Sequence, residues 1–272
     1  MIKIVTIDLD GTLFNDQKVI TEKNKEIIKK CHELGVRIVI CTGRPTSGVL
    51  PVLEKLGLTT INDYAIIYNG AKIINAKTKE EIFSTTIDGK VVKELYLESK
   101  RLNTFIHAFR KNEELICNKY NPYTEIEARL NNLYTEVIDF DTISDDELFL
   151  KCMLIDNPDS VTNAMKNVKP KYYEEYQMVR SSQIFLEFLN KASSKGEGLK
   201  HLAKYLNIDI KDTMAIGDAN NDIAMIKAAG VGCVMCNGFD DVKEYATYIT
   251  KNDNNNSGVA ECLEKFILDE IK

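Results

Sequence analysis

The sequence predicts an α/β protein: a doubly wound, mostly parallel sheet into which a separate α+β unit is inserted. Three observations carry this. The first quarter and the last third alternate short apolar runs with amphipathic stretches, as βαβ units do. The middle, from about Ile82 to Asn190, breaks that alternation. Finally, the apolar runs of the outer segments end in polar clusters, and the carboxyl edge of such a sheet is where ligands bind.

Taken in order, "IKIVTID" reads as a strand and "TEKNKEIIKKCHELG" as an amphipathic helix, with Thr21 as N-cap and Gly35 as stop. "VRIVICT" is a strand, "SGVLPVLEKLG" a helix in spite of Pro51, and "AIIYNG" and "AKIIN" are short strands. The middle holds helix candidates near 89–101, 122–131 and 158–168. Its strand candidates are "NTFIHAF", "ELICNK", "FLKCMLI", "YYEEYQMVR" and "IFLEFLN". Alternation then resumes with helix "GEGLKHLAKYLNI", strand "TMAIGD", helix "NDIAMIKAAG" and strand "VGCVM". Helices "DDVKEYA" and "SGVAECLEKFILDEI" follow, and "NDNNN" at 252–256 between them reads as a solvated loop. The expected division is 1–82 and 191–272 for the core and 83–190 for the insert.

At 272 residues, 44% of them hydrophobic, the chain can bury two medium cores. Its net charge of −6 argues against a general nucleic-acid partner, which requires basic surface. No apolar run approaches the ~18 residues needed to cross a bilayer, so no membrane partner is expected. No basic-then-apolar leader opens the chain, and the expected location is cytoplasmic. Seven scattered cysteines fit reduced thiols, not a disulfide framework. Cys233 and Cys236 form a CxxC, but on a strand such a pair faces opposite ways and no further ligands complete a zinc site.

The question the sequence poses lies in "KIVTIDLDGTLF". A carboxylate at the tip of an apolar strand is costly to desolvate unless something compensates it. Here Asp8 is followed by Asp10, with Gly11 and Thr12 next. Three further motifs occupy comparable strand or helix ends. Thr42, Gly43 and Arg44 follow the second strand; Gly217, Asp218, Asn221 and Asp222 follow "TMAI"; and Lys195 opens the helix after "SS". Each alone reads as a turn or a cap. Four of complementary chemistry on one edge point to a site.

"DLDGTL", "CTGRP", "SSKGEGL" and "AIGDANNDIAMI" resemble, in order, the four motifs of the haloacid dehalogenase superfamily. The tail from "GVGCVMCNG" onward resembles that of its Cof-type sugar-phosphate phosphatases, which carry a large α/β cap between the second and third motifs of a Rossmann-like core. Cys236 departs from the pattern, where a smaller residue is expected. The resemblance implies a phosphatase acting on small phosphorylated metabolites, with 83–190 as the cap that sets specificity.

Charge agrees with that implication. A phosphate monoester adds negative charge to a place holding Asp8, Asp10, Asp218 and Asp222, so a divalent cation is needed. All-oxygen ligands favour Mg²⁺. By the resemblance, Asp8 is the nucleophile that forms an aspartyl-phosphate. Asp10 is the general acid and then base, with a pKa expected to be raised by its acidic neighbours. The metal is held by Asp8, the Asp10 carbonyl and Asp218. Thr42, Gly43, Lys195 and Asn221 contact phosphate, as does Leu9 between the two acids, and Lys195 is also counted as catalytic. Asp222 is expected to orient Lys195 or a water on the metal.

Elsewhere the expectations are plain. His32 and His201 are expected on exposed helix faces, and His107 lies in an insert strand. Val259, Cys262, Leu263, Phe266 and Ile267 form a core stripe. Tyr123, Arg180 and Ser182 are candidate substrate contacts in the insert, and Arg44 either faces substrate or pairs with an acid. A phosphomutase of the same superfamily is the alternative, separated by whether free phosphate is released. A signalling receiver domain also has acids, Thr and Lys, but its acceptor aspartate follows a later strand and its Lys comes last. The chain is expected as a monomer or weak homo-oligomer.

Overall fold

The computed structural model of the protein describes residues 1–270. In chain order, β1 (Ile4–Ile7), α1 (Glu22–Glu33), β2 (Arg37–Cys41), α2 (Thr46–Leu56) and β3 (Tyr64–Ile67) open it, followed by β4 (Lys72–Asn75) and β5 (Glu81–Ser84). The middle holds β6 (Ile87–Asp88), α3 (Gly89–Leu102), β7 (Phe105–Arg110), β8 (Leu115–Cys117) and α4 (Pro122–Asn131). It continues with β9 (Thr135–Val137), β10 (Leu148–Ile155), α5 (Pro158–Asn167), α6 (Lys171–Glu175), β11 (Tyr176–Ser182) and β12 (Phe185–Asn190). The last third adds α7 (Lys195–Tyr205), β13 (Thr213–Gly217), α8 (Ile223–Ala228), β14 (Val231–Val234), α9 (Asp240–Lys243), β15 (Tyr248–Ile249) and α10 (Gly258–Leu263).

Contacts divide these elements into two units. One comprises Met1–Gly43, Val49–Phe83 and the chain from Ser194; the other comprises Ser84–Ser193 together with Arg44–Gly48. The first unit contains an eight-stranded sheet in the order β15-β14-β13-β1-β2-β3-β4-β5. The pairings from β15 through β3 are parallel and β4 runs antiparallel to β3. The chain winds one way from β1 through β3 and the other way from β13 through β15. The topological switch therefore falls between β1 and β13, the place where open α/β sheets bind ligands.

Local chemistry sets the element ends. The Thr21 hydroxyl caps α1 by accepting from the Asn24 amide at 3.3 Å, and Gly35 takes a left-handed φ of 86° just beyond it. The α1 face bearing Ile27, Ile28 and Cys31 is buried. On the other flank, Leu199 and Leu202 of α7 pack with Ile4, Val39, Ile66 and Ala215 of the strands. Burial of that order supplies ~1.5–3 kcal/mol per large side chain. Strand β1 is buried at all four positions, as a central parallel strand covered on both faces should be.

The inserted unit has its own sheet, in the order β11-β12-β10-β7-β8-β9 with β6 also on β10. It is antiparallel apart from the β8–β9 pair. One face packs Ile106, Ala108, Cys152, Leu154, Leu186 and Phe188 under α3 and α5 residues such as Val92, Leu95 and Val161. Helices α4 and α5 each begin with an Asn–Pro pair, in which Asn121 or Asn157 caps the two following free amides.

Some expectations need correction. "YYEEYQMVR" is not one strand: α6 occupies Lys171–Glu175 and β11 starts at Tyr176. Pro170 before it holds a helical φ of −51°, and Tyr172 is buried there in the apolar cluster. "NDNNN" is a loop, but Asn254 is only 5% exposed. His32 is half-buried and bonds Asp63 at 2.8 Å, and His201 stacks on Phe83 with ring centroids 3.8 Å apart. In α10 and the helical segment Glu264–Leu268 that continues it, Val259, Cys262, Leu263 and Ile267 are buried while Phe266 is half-buried.

Candidate active site

Register brings the motifs to one edge. Ile7 of β1 lies beside Ile216 of β13 and Ile40 of β2, all parallel. The next residues along are therefore Asp8, Gly217 with Asp218, and Cys41 with Thr42. Asp8 is 6% exposed and its amide donates to the Ile216 carbonyl at 3.0 Å. Gly11 then turns the chain with φ 89°.

Lys195 stands at the first turn of α7, whose Ser194 hydroxyl caps the Glu197 amide at 3.1 Å. The lysine is fully buried, and its Nζ donates to Asp8 Oδ1 at 2.5 Å and to Asp222 Oδ1 at 2.6 Å. The other Asp222 oxygen accepts the backbone amides of Asp218 and Ala219, both at 3.0 Å. Both Asp222 oxygens are thus committed within the protein, to the lysine and to the turn that carries Asp218. Gly217 permits this, because a Cβ there would fall 2.5 Å from Asp222.

The carboxylates of Asp8, Asp218 and Asp222 converge, with one oxygen of each within 4.8 Å of the others. At an effective dielectric near 20, such a pair repels by about 3.5 kcal/mol. Against three ionised carboxylates, one ammonium leaves two negative charges uncompensated. Burial accordingly pushes the Asp8 carboxyl well above the usual range, opposed by Lys195 and reinforced by Asp222 and Asp218. Burial and then Asp222 push Asp218 up to about 6, while a 2.6 Å hydrogen bond from Thr12 pulls the other way. Lys195 is held in its charged form: burial opposes the charge, but Asp222 and Asp8 overcome it. A hard divalent cation among these oxygens would remove the deficit, so the donor set fits one.

The remaining expected residues are placed as follows. Asp10 is exposed and its Oδ1 accepts from Lys18 at 2.7 Å, a cationic neighbour that the crowding expected of acids did not include. The Leu9 side chain is buried, which leaves its backbone as the group offered to a ligand. Thr42 is buried and its carbonyl accepts from the Asn69 amide at 3.0 Å. Asn221 donates to Asn69 Oδ1 at 3.1 Å. A Cβ on Gly43 would lie 2.9 Å from the Asn69 side-chain amide, so glycine there admits Asn69.

Asn69 is one residue that sequence reasoning missed. It joins the second motif to the fourth, in a left-handed turn of φ 53° after β3. The signal was present as Asn-Gly at the end of an apolar run. Asn237, which bonds the Gly11 carbonyl at 2.8 Å, was also missed. Among the insert candidates, Tyr123 lies near the Phe105 ring at 6.1 Å. Arg180 and Ser182 are used in their own hairpin, on the Gln183 carbonyl and the Ile184 amide. Arg44 groups with the inserted unit, where its charge acts on buried Glu127.

Residues 5–263 match the model of the haloacid dehalogenase-like hydrolases. The chain belongs to that family. A Streptococcus pyogenes protein provisionally named a phosphatase is 37% identical to this hydrolase, over 98% of the chain and 99% of its own length. A 5-amino-6-(5-phospho-D-ribitylamino)uracil phosphatase of Bacillus subtilis is 28% identical, over 97% and 98%. The crystal structure of a haloacid dehalogenase-like hydrolase from Bacteroides thetaiotaomicron superimposes with a TM-score of 0.85 at 31% identity, covering 98% of this chain and all of that one. Among the described residues, no helix of this hydrolase is long and apolar enough to cross a membrane.

Proposed function

We propose that the protein is a Mg²⁺-dependent phosphatase of small phosphorylated metabolites, sugar phosphates among them, working through an aspartyl-phosphate on Asp8. The observation that carries this is the Asp8 carboxylate at the topological switch, 2.5 Å from a buried lysine and grouped with Asp218 and Asp222. The family match and the phosphatase relatives support the reaction class. The phospho-D-ribityl group in the name of the Bacillus subtilis relative supports a polyol-bearing substrate.

Asp8 and Asp218, with the Asp10 carbonyl, would hold the cation, which supplies positive charge against phosphate oxygens. Lys195 neutralises the Asp8 side and contributes to phosphate binding with Thr42, the Gly43 amide, Asn221 and the Leu9 backbone. An Asp8 oxygen attacks phosphorus as the bond from phosphorus to the alcohol oxygen breaks, and Asp10 delivers the proton to that oxygen. Water then attacks the aspartyl-phosphate, giving its proton to Asp10 and releasing phosphate and Asp8.

The test is phosphate release from a panel of sugar phosphates in chelator, in Mg²⁺ and in Ca²⁺. Activity is expected with Mg²⁺ alone, since the looser Ca²⁺ sphere misplaces the nucleophile. Asp8→Asn should abolish both turnover and covalent labelling. Activity that persists in chelator, or in Asp8→Asn, would overturn the reading.

A further inference from the structure

The loop after β1 carries the proposed acid–base residue, Asp10, and is tied both locally and from afar. Within it, the Thr12 and Phe14 amides donate to the Leu9 carbonyl and the Leu13 amide to the Asp8 carbonyl, and Lys18 reaches Asp10 from the exposed side. Further attachments come from more than two hundred residues away: the Thr12 hydroxyl donates to Asp218 at 2.6 Å, and a set of asparagines reaches the loop on either side of it. Asn237, past the end of β14, donates its side-chain amide to the Gly11 carbonyl at 2.8 Å. The Asn237 Oδ1 in turn accepts the Asn254 backbone amide at 3.1 Å. Buried Asn254 donates its side chain to the Phe14 carbonyl and to Asp16 Oδ1, both at 3.1 Å. Asn255 closes the set by accepting the Asp16 amide at 3.1 Å and donating to Asp16 Oδ2 at 3.1 Å.

We propose that Asn237 and Asn254 are positioning residues for Asp10: a two-asparagine clamp that grips the loop at Gly11, Phe14 and Asp16, just beyond Asp10, and so holds the backbone that carries its carboxylate. The proposal deepens the phosphatase reading and rests on it. An asparagine suits the central place because it both donates and accepts. Aspartate, of the same shape, would lose the donor and set a charge against the Gly11 carbonyl. The clamp touches neither phosphate nor the Asp8 and Asp218 carboxylates. It acts through the Asp10 backbone, whose neighbour Gly11 sits at φ 89° and would drive a Cβ to 2.4 Å from Asp218. A small drift of Gly11 thus moves Asp10 off the line to the leaving oxygen, where proton delivery is worth ~10²–10⁴-fold.

This separates the clamp from a merely structural role. An alkyl phosphate needs its leaving oxygen protonated, whereas p-nitrophenyl phosphate does not. The exposed position makes Asn237→Asp and Asn237→Ala safe for folding, with Asn254→Ala as the buried partner. In the full-length protein with Mg²⁺, the Asn237 variants should lower kcat/KM for an alkyl phosphate by about tenfold or more, and that for p-nitrophenyl phosphate by no more than about twofold. Because the Asp10 carbonyl lies on the same backbone, both substrates are compared at Mg²⁺ that saturates each variant, and the contrast between them should persist there. Equal losses on both substrates at saturating Mg²⁺, or no loss on either, would overturn the clamp. A wild-type protein that hydrolyses neither phosphate would instead overturn the phosphatase reading.

Discussion

Lys195 is where one side chain decides the most. It is the ammonium hydrogen-bonded to both Asp8 and Asp222, and it is wholly buried. Lys195→Met should lower kcat by about 10²–10³-fold, the range for losing one preorganised electrostatic donor. Lys195→Arg should not rescue it, because a planar guanidinium does not replace a point charge in a sealed site; a rescued kcat would show that only net charge matters. Taken alone, its motif reads as a capped helix opener; its company with the other three marked it as a site residue, and the structure adds its burial and its two carboxylate partners. A second buried ion pair, Lys151–Glu187 at 3.2 Å in the inserted unit, was not legible at all. Lys151 sits inside the apolar run "FLKCMLI", and only the β10–β12 pairing, with Met153 opposite Glu187, brings the acid near. Breaking such a pair by Lys151→Met should cost about 3–5 kcal/mol, whereas Lys151→Met with Glu187→Leu should cost far less. Denaturant unfolding of the three proteins checks this, and equal losses in the single and double variants would contradict it.

At the level of elements, strand ends and turns do more than strand interiors. The β1–Asp8–Gly11 segment requires a left-handed residue beside Asp218, so Gly11→Ala meets both strain and a collision. It should cost about 1–3 kcal/mol from the backbone alone and displace Asp218, which would raise the Mg²⁺ requirement. Unchanged Mg²⁺ titration in a stable Gly11→Ala protein would refute the geometry. Elements with strong local signals were readable: α1 from Thr21 and Gly35, and α4 and α5 from their place between apolar runs. The three-residue β9, the two-residue β6 and β15, and helix α6 were not, because so few residues carry no period. Their existence is set by neighbours, as when β9 forms against β8 with Leu115 beside Thr135.

At the level of the molecule, the two units titrate in opposite directions. His107 in the inserted unit is fully buried, bonded to Thr124 and Met153 at 3.3 and 3.1 Å. Burial, with Lys151 adding to it, pushes its pKa down to about 3. The unfolded chain, with His near 6.5, therefore takes the proton first. Stability is full above about pH 6.5 and falls by about 1.4 kcal/mol per unit as the pH drops toward 3. In metal-free protein Asp218, raised to about 6, acts the other way, since the folded state takes its proton first and gains stability as the pH falls through 6. Comparing wild type with His107→Gln between pH 7 and 5 isolates the histidine. The stability difference between them should shift with that slope, and parallel curves would contradict it. By itself the sequence determined the doubly wound core, the inserted unit and four polar motifs, because periodicity and turn chemistry are local properties of the chain. It also raised the expectation of a cation, since charge is counted without coordinates. Only the tertiary structure decided which acids converge, that Asn69 ties Thr42 to Asn221, that the asparagine-rich segment grips the Asp10 loop, and that His107 is buried neutral. Those depend on register and burial, and both arise only when segments from about twenty to more than two hundred residues apart are packed together.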